Sequence, residues 1–146
     1  MSMIQQNSHL IFLIENEYKE IFGLFLNNER QSRDYGEFLV DDKTFVFNLE
    51  SYGRLPNPMK FEIKKDSFYD EKWLVGNSTY PRDYVLFDFG DICIKSILDK
   101  CNCCCFNNNY FDYKGMEFPL CGKRRYYSKD HSVRFTLEKL IIFEME

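Results

Sequence analysis

Four of the six cysteines in the chain lie within five residues, in the stretch "CNCCC" from Cys101 to Cys105. Cys101 and Cys104 have the C-x2-C spacing of a zinc half-site. Downstream of this stretch, the residues able to complete a tetrahedral site are Cys121 and His131. A Cys3His zinc site made of Cys101, Cys104, Cys121 and His131 is therefore one interpretation, and it requires the chain to fold back so that all four ligands converge.

Two further interpretations of the same stretch remain open. A reactive thiol needs an exposed cysteine with a lowered pKa and a cationic neighbour, and Lys100 is the adjacent cation. A thiol-based, peroxide-responsive protein or enzyme using the Cys101–Cys105 cluster is thus the second interpretation. The third is a strand that enters an asparagine-rich loop, with alternate cysteines buried as small hydrophobic residues. We favour the third interpretation because the sequence completes neither a ligand set nor an activated thiol.

The other residues capable of chemistry form no recognisable catalytic motif. His9 and His131 are the two histidines, and neither lies in an H-E-x-x-H motif. The seven glycines form no G-x-G-x-x-G or P-loop pattern. Asp88 and Asp91 flank Gly90 and are either a cation site or an ordinary strand-end turn. The sequence therefore predicts no catalytic residue and no cofactor.

Length, charge and hydropathy limit the class of protein. The 146 residues suit one domain over 10–146, preceded by a short polar lead over 1–9. A net charge of −4 argues against nucleic acid as the ligand, and we interpret the basic cluster Lys123–Tyr127 as surface charge. No apolar run reaches the roughly 18 residues of a membrane span, and Leu10–Ile14 is too short for a signal peptide. With cysteines interpreted as thiols, we predict a cytoplasmic protein.

The elements that must position these residues are predicted to be strands. Fifteen Phe, ten Tyr and no alanine favour strand over helix. The segment "HLIFLIENEYKEIFGLFL" predicts a hairpin, with Gly23 at a bulge or a close backbone approach. In "KTFVFNLE", Phe45, Phe47 and Leu49 share one side of a strand.

The closing segment "VRFTLEKLIIFEME" predicts one continuous strand with a buried face. Leu140 and Ile142 have the opposite parity, so its middle is predicted to be buried on both faces. The side predicted to be buried carries Val133, Phe135, Leu137, Ile141, Phe143 and Met145. No helical pattern is as strong as these strands. We therefore predict a mainly β fold, a two-layer antiparallel β-sandwich with a few short helices or helical turns.

The order of these motifs resembles the TLDc domain family over about Leu10–Met145. The resemblance consists of "FG" within the first hairpin, "FVF", the glycine-containing "YVLFDFGDICI" and the closing "FTLEKLIIFEM". We interpret the matched positions as core and turn residues rather than acids, bases or nucleophiles. These positions are Phe22, Gly23, Phe45, Phe47, Gly90, Phe135 and Phe143.

The resemblance implies a β-sandwich that takes part in protection against oxidative stress. In some members it also implies binding to the vacuolar proton ATPase, and no catalytic constellation is generally accepted for the family. The expected function is thus a non-catalytic protein-interaction module, with vacuolar proton ATPase subunits as candidate partners. Glu138, Glu144 and Glu146 on the polar side of the last strand form a candidate partner face.

Two departures from the family pattern carry expectations of their own. Family members usually have a further helical and strand portion before the first hairpin, and this sequence starts without it. We therefore expect an unpaired strand edge or apolar patch near that hairpin, and either self-association or a partner that covers it. The glutamate that usually precedes the closing Val-aromatic pair falls at Ile141 here, so any role of that acid would be lost.

Overall fold

A computed structural model describes residues 9–27, 37–40, 43–56, 58–64, 72–75, 85–88, 91–95, 97–106, 111–116, 119–122, 126–127 and 132–145. These residues contain β1 (His9–Asn16), β2 (Ile21–Asn27), β3 (Glu37–Val40), β4 (Phe45–Glu50), β5 (Met59–Glu62), β6 (Lys72–Val75), β7 (Val85–Asp88), β8 (Ile92–Lys95), β9 (Cys103–Phe106), β10 (Tyr126–Tyr127), β11 (Ser132–Phe135) and β12 (Leu137–Glu144). One sheet has the order β12-β1-β2-β4-β5 and the other β10-β11-β9-β8-β7-β6-β3. All the strand pairs are antiparallel.

The two sheets share one hydrophobic core. The ring of Phe22 on β2 meets that of Phe135 on β11 edge to face, with centroids 5.3 Å apart. The buried cluster joins residues of both sheets, among them Phe12 and Leu24 from the first and Ile92 from the second. The predicted mainly β, antiparallel fold is therefore confirmed, and the shared core is consistent with a β-sandwich. A 3₁₀ helix at Ile97–Asn102 is the helix that the described residues contain, and none of these residues forms a helix able to cross a membrane.

The hairpin of β1 and β2 forms where the sequence predicts it. The Asn16 Oδ1 atom accepts hydrogen bonds from the backbone N–H groups of Tyr18 and Glu20, both at 3.0 Å. Asparagine is common in turns because its side chain can bind backbone groups in this way. Lys19 completes the reversal with a left-handed φ of 64°. The polar turn thus fixes the register that places alternate β1 residues in the core.

Gly23 on β2 is required by a close backbone approach, as predicted. A Cβ atom at this position would lie 1.9 Å from the Phe12 carbonyl oxygen and 2.8 Å from Cζ of Phe47. Gly23 pairs directly with Leu13 on one side and Phe47 on the other. The Phe47 ring therefore covers the space that a side chain would occupy.

The side of β4 that faces the core is not the side on which most of its apolar residues lie. Phe45, Phe47 and Leu49 do share one side, but it is the outer side of the sheet. Val46 is fully buried in the core, whereas Leu49 is 46% exposed. Because apolar residues occupy both parities in "FVF", alternation alone could not decide which side faces the core.

The prediction of one continuous closing strand was wrong. The chain leaves the seven-stranded sheet after Phe135 and enters the five-stranded sheet at Leu137. The backbone N–H of Thr136, between the two strands, donates a hydrogen bond of 2.5 Å to Oε2 of Glu17. The segment therefore consists of β11 and β12, and each strand faces the core from a different sheet.

Because the chain changes sheets here, the side of β12 that faces the core is not the side that continues from the buried residues of β11. Phe135 is 1% exposed, in agreement with its prediction as a core residue. Phe143 is 48% exposed, so its prediction as a core residue was wrong, and Ile141 and Met145 lie outside the core as well. Leu140 and Ile142 pack partly against the core, as does Leu137 at the start of β12.

Candidate functional site

The cysteines of the "CNCCC" stretch form two buried thiol pairs with cysteines from other segments. Cys104 on β9 lies directly opposite Cys93 on β8, and their side chains are hydrogen bonded. Cys105 makes a side-chain hydrogen bond with Cys121 instead. Because successive residues of a strand point to opposite faces, the two pairs lie on opposite sides of the seven-stranded sheet.

Burial and pairing keep these thiols protonated. The hydrogen bond with Cys93, followed by burial, raises the pKa of Cys104, and the nearby Arg134 and Lys95 offset this only in part. Burial, followed by the hydrogen bond with Cys121, raises the pKa of Cys105 well above its ordinary value. Since the thiolate is the nucleophile and the metal ligand, both cysteines are weak candidates for either role.

The four candidate zinc ligands are not brought together. Cys101 is exposed at the end of the 3₁₀ helix, whereas Cys104 and Cys121 are buried. Cys121 contacts Cys105, so it lies across the sheet from Cys104. His131 lies outside the described residues. Within the described part of the chain, no three His, Cys, Asp or Glu side chains form a group that could hold a metal ion.

Asp91, one of the two candidate cation ligands, instead belongs to a buried hydrogen bond. The Tyr113 hydroxyl donates to Asp91 Oδ2 at 2.6 Å, and Asp91 is fully buried. Burial and then the charge of Asp91 raise the pKa of Tyr113, so the phenol remains a donor. The side chain of Asp88 and all of Gly90 lie outside the described residues. The contact that the structure gives Asp91 is therefore with a tyrosine from a distant loop.

A buried ion pair between Glu20 and Arg54 was missed by the sequence interpretation. Arg54 Nε lies 3.1 Å from Glu20 Oε2, and the Glu20 side chain is 1% exposed. Arg54 Nη2 also donates to the Leu120 carbonyl at 2.6 Å, and Asn16 Nδ2 donates to Glu20 Oε1 at 3.2 Å. The group joins three loops to one another, which is a structural role. No local pattern signals it, because its members are far apart in sequence.

The outer face of the five-stranded sheet is unusually apolar, and we call it the apolar face. In one row across the strands, Phe143 lies beside Ile11, Ile11 beside Phe25, and Phe25 beside Phe45. A second row runs through Ile141, Leu13, Gly23 and Phe47. The outer face of an antiparallel sandwich sheet is normally polar. Here charged residues lie mainly at the borders of the face.

Lys60 and Glu62 form one such border, on β5. Lys60 Nζ lies 3.4 Å from Glu62 Oε1 and 4.4 Å from the centre of the Phe45 ring. The aromatic stack of Phe25 on Phe45, with centroids 5.1 Å apart, is thereby covered at this end by a cation.

Exposure is concentrated at the opposite border, on β12. Ile141 is 37% exposed, Phe143 48% and Met145 45%. An apolar patch at the edge of the first hairpin was expected, and these three side chains form it. Of the predicted acidic partner face, Glu138 and Glu144 are exposed on the same strand, and Glu146 lies outside the described residues. Exposed apolar and acidic side chains therefore alternate with one another here.

The remaining family-motif positions fall into two groups. Phe22 and Phe135 are buried in the shared core. Phe45 and Phe47 belong to the apolar face, together with Phe143. No protein-family model matches this chain, and no curated protein matches it at a significant level.

Proposed function

We propose that this chain is a non-catalytic protein-interaction module that binds through the apolar face and its β12 border. The observation that carries the proposal is the exposure of Ile141, Phe143 and Met145 on the outer side of a well-packed sandwich. Contiguous apolar patches of this kind mark interaction surfaces on stable proteins. Burying them in a partner supplies a favourable free energy that the chain does not gain by itself.

The thiols give the rival enzymatic function little support. A peroxide-consuming cysteine must be accessible and present as thiolate. Cys104 and Cys105 are buried, and their pKa values are raised by burial and by hydrogen bonds to neighbouring thiols. Cys101 is exposed and lies in the 3₁₀ helix rather than on β9. Binding without turnover is therefore the better interpretation.

The resemblance to TLDc domains supports a more specific biological role. On that resemblance, we propose that the module acts in the cytoplasm in protection against oxidative stress, with vacuolar proton ATPase subunits as candidate partners. Glu138 and Glu144 are exposed on β12 but point to the opposite side of the strand from Ile141 and Phe143. A partner that reaches them as well must contact the edge of the sheet, and basic residues around an apolar centre would suit that arrangement.

The proposal is tested by measuring binding to the purified soluble sector of the vacuolar proton ATPase. We expect saturable binding by the wild type and at least tenfold weaker binding by Phe143→Ser, which removes exposed apolar surface. Tyr52→Asn is the matched control, since Tyr52 is 63% exposed in a turn outside the apolar face and has a left-handed φ that asparagine tolerates. Equal binding by all three proteins would remove the apolar face from the proposal.

The enzymatic rival is tested by peroxide consumption with a thiol reductant. We expect no more consumption than the exposed Cys101 alone would give in a single stoichiometric reaction. A Cys101→Ala variant separates that reaction from the contribution of the buried thiols. Sustained turnover that depends on Cys93 or Cys104 would contradict the binding-module proposal.

A further inference from the structure

Cys93 and Cys104 lie on the outer side of the seven-stranded sheet, in the company of two cationic residues. Cys104 is directly opposite Cys93 on β8 and directly opposite Arg134 on β11. Lys95 follows Cys93 by two residues, so it lies on the same side of β8. The next residue of β9, Cys105, belongs to the shared core. The side chains of Cys93 and Cys104 therefore point away from that core.

The backbone already holds Cys93 and Cys104 at the separation that a disulfide needs. Residues directly opposite each other in an antiparallel pair have Cα atoms about 4.5 or 5.5 Å apart, depending on the kind of pair. Both values lie within the range of roughly 4.4–6.8 Å found for disulfides. The two side chains are also hydrogen bonded to each other. Joining their sulfur atoms therefore requires side-chain rotation and no change in strand register.

The charges around this pair favour the ionisation of one of its thiols. A thiol must lose its proton before it attacks a disulfide, and a nearby cation favours that loss. The hydrogen bond with Cys93, followed by burial, raises the pKa of Cys104. Arg134 and Lys95 act in the opposite direction. Cys104 therefore keeps its proton as a hydrogen-bond donor to the Cys93 sulfur, which suits Cys93 to be the attacking thiolate.

The pair of Cys105 and Cys121 has surroundings of the opposite kind. Burial, the hydrogen bond with Cys121 and the charge of Asp91 all raise the pKa of Cys105. Cys121 lies in a turn rather than on a strand, so strand pairing does not set its separation from Cys105. Of the two thiol pairs, that of Cys93 and Cys104 is therefore better suited to exchange.

We propose that Cys93 and Cys104 form a reversible disulfide between β8 and β9 by exchange with a low-molecular-weight disulfide such as oxidised glutathione. The Cys93 thiolate attacks one glutathione sulfur, which forms a mixed disulfide and releases one glutathione thiolate. Cys104 then loses its proton, and its sulfur attacks Cys93 Sγ and releases the second glutathione thiolate. The two cysteines lose two electrons and two protons, and oxidised glutathione becomes two molecules of reduced glutathione.

The fold and the bond stabilise each other. A cross-link between residues that the native sheet already holds together restricts the unfolded chain more than the folded one. By the same linkage, folding favours formation of the bond. Burial slows the exchange, because the sheet must open locally before glutathione reaches the sulfur atoms. It does not change the equilibrium between the two thiols and the disulfide.

The inference is tested by equilibrating the full chain in mixtures of reduced and oxidised glutathione without air, with and without denaturing urea. Equilibrium is approached from both the reduced and the oxidised protein, so that slow exchange cannot be mistaken for instability of the bond. The remaining thiols are then blocked, and the disulfides are located by mass spectrometry. The unfolded chain is the matched control, because it has the same six cysteines without the strand pairing.

We expect the equilibrium constant for the Cys93–Cys104 bond to be at least about tenfold larger in the folded chain than in the unfolded one. Cys101→Ala, which removes the exposed thiol, should form the same bond, whereas Cys104→Ala should leave Cys93 reduced. Urea unfolding under reducing conditions checks that each variant is folded. The inference would be overturned if Cys93 of the folded wild type stayed reduced under conditions that oxidise the unfolded chain, or if it joined another cysteine. Neither result bears on binding through the apolar face, which belongs to the other sheet.

Discussion

Strands β9 and β12 differ in how residue type relates to accessibility: the residues of β9 that look reactive are buried, and residues of β12 that look like core are exposed. Strand β9 contains three successive cysteines, which look reactive, yet all three are buried in the middle of a seven-stranded sheet. Strand β12 contains "LIIF", which looks like core, yet it is an edge strand with Ile141 and Phe143 exposed. Position within the sheet, rather than residue type, decides which side chains a partner or reagent can reach.

The comparison also explains why we propose binding rather than catalysis for this chain. The Cys103 Sγ atom accepts a hydrogen bond from the backbone N–H of Lys95 at 3.2 Å. The thiols of Cys104 and Cys105 are hydrogen bonded to other thiols. The sulfur atoms of β9 therefore have their partners inside the molecule. The apolar side chains of β12 gain theirs only by association.

The largest expected effect on stability distinguishes Phe135 from Phe143. The sequence pattern predicted both residues on one side of a single strand. Phe135→Ala should lower the free energy of unfolding by about 3–5 kcal/mol, because it leaves a cavity beside the Phe22 ring. Phe143→Ala should lower it by less than about 1 kcal/mol, because half of its surface is already in water. Urea unfolding at low micromolar concentration measures both. Similar losses of unfolding free energy for the two variants would mean that Phe143 faces the core, as the sequence pattern predicted.

Gly23→Ala should produce the next largest loss of stability. The new methyl group would meet the Phe12 carbonyl oxygen and the Phe47 ring, and the backbone carbonyl cannot move without disturbing the pairing of β1 with β2. We expect a loss of about 1–3 kcal/mol in the free energy of unfolding, the usual range for overpacking. Gly53→Ala is the contrasting variant, because it has a left-handed φ of 88° but open space around its Cβ position. Full stability of Gly23→Ala would show that the close approach can relax.

Much of the fold follows from patterns within single segments. The hairpin turn, the alternation of Met59, Phe61 and Ile63, and the break between β7 and β8 are all local features, and the structure contains each of them. Gly23 could be predicted as a bulge or a close backbone approach, because glycine inside an apolar strand often marks one of the two. The β9 strand was also recovered, although all three of its successive cysteines are buried rather than alternate ones.

The errors arise where the deciding contact is not local. The sheet change at Thr136 is accompanied by a hydrogen bond to Glu17, more than a hundred residues away, and no pattern within "VRFTLEKLIIF" indicates it. The thiol partners Cys93 and Cys121 are set by strand pairing and by a loop, so the spacing within "CNCCC" could not identify them. The charged contact of Glu20 with Arg54 was missed for the same reason.

The buried thiols should appear in the pH dependence of stability. An acidic group whose pKa is raised by folding stabilises the native state below its unfolded pKa, and this contribution is lost as pH rises above that value. For Cys105, the ordinary value is 9.0, and burial raises the pKa well above it. The free energy of unfolding should therefore fall above about pH 9, by roughly 1.4 kcal/mol per pH unit for this one thiol.

One variant isolates this contribution of Cys105 from the titration of lysines and tyrosines. Cys105→Ala should flatten the alkaline slope of the unfolding free energy by about one proton. Urea unfolding of the wild type and the variant between pH 7 and pH 10.5 provides the measurement. Parallel curves for the two proteins would indicate that the Cys105 thiol reaches solvent in the native state.

The smallest expected effect on stability concerns the acidic residues of β12. Glu144→Gln should leave the free energy of unfolding within about 0.5 kcal/mol, because the side chain is exposed at the end of an edge strand. Binding to the ATPase sector should weaken by about threefold to tenfold, since the substitution removes a carboxylate from the proposed binding edge. Glu50→Gln, at an exposed position on β4, is the control and should change neither quantity. Unchanged binding by Glu144→Gln would remove this carboxylate from the proposed partner surface.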